Sequence, residues 1–156
     1  MAAGLGTDAV VHIRTDAHGR MDVRELERMC AEMQADAAHP QGVPLIVCAT
    51  SGTTVLGAFD DVAAIAEVCR KYDLWLHVDA SWGGAAAFLP HDAPERSVLA
   101  GLENAHSITI NPHKLLGVTH QCSFLLVHDK SVLIPPSHSD GGLSLIHISE
   151  PTRPLY

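Results

Sequence analysis

Apolar positions in this chain recur at two different periods, and the segments they define alternate. Ala9 to Arg14 (Ala-Val-Val-His-Ile-Arg) is a short run rich in β-branched residues and predicts a strand. A turn follows over Asp16–Arg20, with Gly19 as its flexible position. Asp22 and Glu25 then make an Asp-x-x-Glu capping pattern, and Val23, Leu26, Met29, Cys30, Met33 and Ala37 recur on one helical face. Pro40 and Gly42 end that segment. Pro44 to Thr50 is a continuous apolar run, the pattern of a strand buried on both faces of a parallel sheet. Ser51-Gly52-Thr53-Thr54 breaks it. A second helix is predicted from about Asp61, with Asp60 as its cap and Val62, Ile65, Ala66, Cys69 and Tyr72 as its buried stripe. Further short strands are predicted at Leu74–Val78, Ser107–Ile110 and Gln121–Val127. Strands that alternate with helices specify an α/β fold, a mostly parallel sheet with crossover helices.

Composition narrows the class. The 156 residues, 47% hydrophobic and 18% charged, suffice for the core of one domain or part of one. A formal net charge of −8 provides no basic footprint for nucleic acid or an anionic membrane. No apolar run approaches the ~20 residues of a membrane span. The amino terminus lacks the basic and apolar regions of a signal peptide, so the expected location is cytoplasmic. Cys30, Cys48, Cys69 and Cys122 form no C-x-x-C pair and are read as buried, reduced thiols. The 11 histidines show no metal-binding spacing, and no metal is expected.

Three polar clusters sit at predicted strand ends, where ligands bind in open α/β sheets: Thr50–Thr54, Asp79–Gly84 and Asn111–Lys114. A lysine amine is nucleophilic only when neutral, and burial favours that form and its use in a Schiff base. Pyridoxal phosphate needs such a lysine, together with an anion at its pyridine nitrogen that keeps the ring an electron acceptor. Lys114 and Asp79 suit those two roles. Enough chain separates them for a loop, a helix and the next strand, so each can occupy its own strand end.

His77-Val78-Asp79-Ala80, then Trp82-Gly83-Gly84, then Asn111-Pro112-His113-Lys114 resembles the group II pyridoxal-phosphate-dependent amino-acid decarboxylases. The string Ala49-Thr50-Ser51-Gly52-Thr53-Thr54-Val55-Leu56-Gly57-Ala58-Phe59-Asp60 is most similar to the branch acting on cysteine sulfinate, aspartate or glutamate. Leu74-Trp75-Leu76-His77 and Gln121-Cys122-Ser123 agree with that branch. The resemblance covers about Ala2 to Ile134. It implies part of the large domain of the fold-type I (aspartate aminotransferase-like) fold, with pyridoxal 5'-phosphate as cofactor and a homodimer as the working form.

The resemblance also implies roles. Lys114 holds the cofactor as a Schiff base, Asp79 pairs with the pyridinium nitrogen, and His113 lies beside the lysine and the phosphate side. Asn111 contributes to phosphate binding. Thr54 sits near the ring hydroxyl or the Asp79 carboxylate, and Ser81 packs on one ring face where the family usually has Ala. Thr119-His120 also departs from the expected aliphatic pair. His77, on the side of its strand that carries Asp79, either orients that carboxylate or satisfies a core hydrogen bond, the second being the reading adopted. Trp75 is read as core, and Trp82 as part of a packed turn.

Residues 1–142 are thus expected to be a partial cofactor-binding domain. Residues 143–156 continue no pattern, resemble translated adapter DNA and are expected to be a non-native tail. The isolated chain is expected to be inactive or poorly folded, because the resemblance locates the phosphate loop and the substrate-gripping arginine outside it. Two alternatives stand beside decarboxylation of an acidic amino acid: an aromatic-amino-acid decarboxylase or other fold-type I enzyme, and a truncated product without catalysis.

Overall fold

A computed structural model describes residues 9–36 and 42–133. Helix α1 spans Val23–Ala35 and α2 spans Val62–Tyr72. Strands β1 (Ile46–Thr50), β2 (Trp75–Asp79), β3 (Ser107–Ile110) and β4 (Phe124–Val127) make a four-stranded sheet in the order β1-β2-β3-β4. The first three strands are parallel, and β4 runs antiparallel to β3. This is the α/β architecture expected from the alternating periods. Ala37, Pro40 and the 143–156 tail lie outside the described residues.

The caps show how local sequence sets the helices, with two corrections. Asp22 caps α1, its carboxylate accepting from the Arg24 and Glu25 amides. Glu25 does not complete a capping box. The Asp22 amide already donates to the Arg14 carbonyl, and the Glu25 carboxylate takes Arg14 and Arg28 instead. For α2 the cap is Asp61, which accepts from the Ala64 amide at 3.0 Å, and not Asp60. Asp60 ties two chain segments together, accepting from the Met21 amide at 2.6 Å and the Thr50 amide at 2.8 Å.

Leu26 and Cys30 of α1 and Val62, Ile65, Val68 and Cys69 of α2 pack with Val47, Ala49, Leu76 and Val78 of the sheet in one buried cluster. Each large aliphatic buried there stabilises the fold by about 1.5–3 kcal/mol. Both helices therefore cover one face of the sheet. The other face carries Ile46, Cys48, Trp75, His77 and Asp79, and among the described residues no second layer covers it. This corrects the expectation for β1, which is buried on Val47 and Ala49 but exposed at Ile46 and Cys48. It also corrects the cysteines: Cys30 and Cys69 are buried, Cys122 is half-buried and Cys48 is exposed.

Two further expectations change. Ala9–Arg14 forms no strand, because a β-branched run needs a neighbour and only the isolated bridge Thr15–Met21 forms there. Between β2 and β3 the chain makes 3-10 turns at Gly83–Phe88, Pro94–Leu99 and Leu102–Asn104, not an α-helix. The Gly83-Gly84 pair, Pro90, Pro94 and Gly101 interrupt any long i→i−4 ladder. Among the described residues, no helix is long and apolar enough to cross a membrane.

Candidate functional site

The parallel register decides where the three polar clusters meet. Thr50 of β1 pairs with Asp79 of β2, and Asp79 pairs with Thr109 of β3. The three strands therefore stop nearly level, and the loops beginning at Ser51, Ala80 and Asn111 leave the same end of the sheet. Backbone bonds knit the first two loops: the Ser51 amide donates to the Asp79 carbonyl at 2.9 Å and the Gly83 amide to the Ser51 carbonyl at 3.0 Å. Glycine is required at 83, where a Cβ would overlap the Phe59 ring and the Ser51 carbonyl.

At this end Asp79 is exposed, and one carboxylate oxygen accepts the Ser81 amide at 3.0 Å. That bond fixes the carboxylate relative to the loop. Ser81 is half-buried next to it. Asn111 to Lys114 form a tight turn closed by the Lys114 amide on the Asn111 carbonyl at 3.0 Å, with Pro112 buried beneath. Lys114 is exposed, whereas the chemistry of a Schiff-base lysine led us to expect a buried one. The turn projects from the sheet, and no described layer closes over it.

The imidazole of His113 is half-buried and anchored, with Nδ1 2.7 Å from the Cys122 carbonyl and 3.1 Å from the Cys122 amide. The Cys122 backbone thus takes up Nδ1, as acceptor from its amide or donor to its carbonyl, and leaves Nε2 available. Thr54 is exposed on the loop after β1. Its neighbour Thr53 has a structural task, its hydroxyl accepting the Ala58 amide at 2.9 Å.

Two buried polar atoms at this end have no partner among the described residues: Asn111 Oδ1 and Ser51 Oγ. Buried polar atoms are rarely left unpaired in folded proteins; Asn111 Oδ1 calls for a hydrogen-bond donor, and Ser51 Oγ for a donor or an acceptor. An amide, an imidazole and an ammonium on one strand end suit an anionic group, and a carboxylate on the adjacent end suits a protonated ring nitrogen. The donor set fits pyridoxal phosphate.

Ser107 and Thr109 escaped the sequence reading as site residues. Alternation in Ser107-Ile108-Thr109-Ile110 already assigns the two hydroxyls to one face, and that signal could have found them. A separate cleft of about 400 Å³, lined by residues including Arg70, Asp73, Glu103, His106 and His128, lies at the opposite end of the sheet. Loops at that end precede the strands, so the cleft is not where ligands of open α/β sheets bind. Among the described residues, no group of three or more His, Cys, Asp or Glu side chains gathers to hold a metal ion.

Comparison with known proteins bears on the family and the fold. Residues 1–139 match the model of the pyridoxal-dependent decarboxylase conserved domain. The chain is 48% identical over 136 residues to the mouse acidic amino acid decarboxylase GADL1, covering 87% of this chain and 24% of that protein. It is 47% identical over 135 residues to human cysteine sulfinic acid decarboxylase, covering 86% and 26%. A crystal structure of mouse CSAD superposes with a TM-score of 0.73 at 48% identity, over 83% of this chain and 26% of that one. The chain thus spans about a quarter of the length of the curated relatives it matches. With the family model matching nearly its whole length outside the tail, the chain belongs to the pyridoxal-dependent decarboxylase family.

Proposed function

We propose that this segment is the cofactor-anchoring part of a lyase that decarboxylates an acidic L-amino acid: cysteine sulfinate, aspartate or glutamate. The observation that carries the reading is the convergence of Asp79 and the Asn111–Lys114 turn on adjacent strand ends, in a family defined by pyridoxal. Pyridoxal 5'-phosphate, when bound, supplies an electron-withdrawing ring that accommodates the electron pair left as carbon dioxide departs. The chain's own residues do the rest. Lys114 would hold the cofactor through its Nζ amine. Asp79, fixed by the Ser81 amide, accepts the hydrogen of the ring nitrogen and so holds that proton in place. His113, anchored on Cys122, and Asn111, through the N–H donors of its amide, would hold the phosphate side. Thr54 and Ser81 border the ring.

The acidic-substrate branch is favoured by the activities for which the two relatives are named, at 48% and 47% identity. A cytoplasmic homodimer is the working form we infer for the full-length protein, with residues 1–142 as part of its large domain and 143–156 as a non-native addition.

Borohydride reduction of the full-length protein loaded with pyridoxal phosphate tests the anchor. Peptide mapping should find the label on Lys114, and a label on any other lysine refutes it. Carbon dioxide release from cysteine sulfinate, aspartate, glutamate and dopa tests the substrate class. Turnover of dopa in preference to the three acidic substrates would assign the aromatic branch instead.

A further inference from the structure

The sheet face without a described covering layer carries a line of polar contacts that ends beside Asp79. The Trp75 indole nitrogen lies 2.9 Å from Ser107 Oγ, and the same oxygen lies 2.8 Å from His77 Nδ1. His77 Nε2 faces Thr109 Oγ1 at 3.4 Å, and Thr109 is the cross-strand partner of Asp79. Trp75, His77 and Asp79 are alternate residues of β2, and Ser107 and Thr109 are alternate residues of β3, so all five share one face.

The chemistry of the two ends orders the protons between them. An indole N–H only donates, and an ionised carboxylate only accepts. Ser107 is buried, and Trp75 already donates to its oxygen. Its own hydrogen therefore goes to His77 Nδ1. A neutral imidazole that accepts at Nδ1 carries its hydrogen on Nε2. That hydrogen points at Thr109, the last contact of the row; its hydroxyl makes no hydrogen bond to the neighbouring Asp79, whose carboxylate accepts the Ser81 amide, and is left free to donate toward it.

We propose that Trp75, Ser107, His77 and Thr109 form a one-directional hydrogen-bond relay that orients the Asp79 carboxylate, with His77 and Thr109 as positioning residues for the cofactor's ring nitrogen. The proposal rests on the reading of Asp79 given above. It assigns His77 a task beyond filling a core position. Each donor in the row polarises the next, so the last hydroxyl is a stronger donor than an isolated threonine.

The test uses the full-length protein with ring-15N-labelled histidine, with His77 assigned by its absence in His77→Gln. In the cofactor-free protein His77 should be protonated at Nε2 and bare at Nδ1, and Ser107→Ala should abolish that preference. The opposite tautomer in the wild-type protein overturns the relay, whatever the variants do. In the second arm, Thr109→Val removes only the hydroxyl. Pyridoxal phosphate should dissociate about tenfold more readily, the effect of one lost hydrogen bond to a charged group. The bound-cofactor absorbance should shift while the melting temperature holds, and Thr109→Ser should restore both. An unchanged cofactor affinity and spectrum in Thr109→Val removes the positioning role. If Asp79→Asn leaves cofactor binding intact while the His77 tautomer stands, the assignment of Asp79 fails and the relay is an internal feature of the sheet.

Discussion

Asp60 accepts two backbone amides from segments far apart in sequence, Met21 and Thr50. Removing the carboxylate leaves both donors short of a partner in a half-buried setting. Asp60→Ala should therefore lower the unfolding free energy by about 2 kcal/mol, read by urea denaturation, and Asp60→Asn should recover part of the loss. An unchanged midpoint would mean that water replaces the carboxylate at no cost. Glu25 offers a test by pH. Its hydrogen bond to Arg28, reinforced by Arg14 and opposed by partial burial, holds the carboxyl at about 2, below the ordinary 4.5. A depressed value means that the stabilisation is complete above pH 4.5 and disappears as pH falls toward 2. A 13C titration of the Glu25 carboxyl should show that low midpoint, and Arg28→Ala should raise it. At this scale the sequence was partly legible. Asp22 stood out as a cap because its spacing to the apolar face is unambiguous. Asp60 and Asp61 are adjacent and equally able to cap, and only the distant Met21 amide decides between them.

Helix α2 ends with Asp73 in the left-handed region at φ 54°, its amide bonded to the Cys69 carbonyl. A side chain there carries a steric cost that glycine avoids, and Arg70 and Lys71 already complement the helix end. Asp73→Gly should stabilise the fold by about 0.5–1 kcal/mol, seen as a higher urea midpoint. Where α1 meets α2, burial and the neighbouring Cys30 push the Cys69 thiol up to about 11. Cys69 should thus resist alkylation at neutral pH until the fold opens, which mass spectrometry of iodoacetamide-treated protein can follow. Element identity was legible for α1, α2 and β1 to β4, because periodicity is a local property, whereas the run Ala9–Arg14 forms no strand. Which face each strand buries was not. The run from Pro44 to Thr50 is apolar throughout, and its one-sided burial depends on both helices choosing the same side of the sheet. The stretch between β2 and β3 misled for a related reason. Its length suits a helix, while its glycines and prolines permit only short turns.

Across the whole molecule, one sheet face is packed and the other is open. Ile46 and Leu125 on the open face, and Leu45 and Phe124 on the other side of the two edge strands, are each more than half exposed, an apolar surface of a kind that soluble chains seldom leave bare. The 156-residue chain expressed alone should therefore bind a hydrophobic dye such as ANS and release no carbon dioxide from cysteine sulfinate. A dye-silent, monomeric chain would show that the open face tolerates water. The candidate site was legible because its residues fall in short ordered strings at strand ends, and the sheet register then brings those strings together. The supporting Ser107 and Thr109 were overlooked, since their partners Trp75 and His77 lie on another strand. The direct pairing of β2 with β3 has an evolutionary corollary. Asp79 and the Lys114 turn are held by neighbouring strands, not by the chain that joins them. The exposed turn over Pro94–Leu99 can thus gain or lose residues over generations and become a platform for novelty, while the strand register preserves the distance on which the proposed chemistry depends.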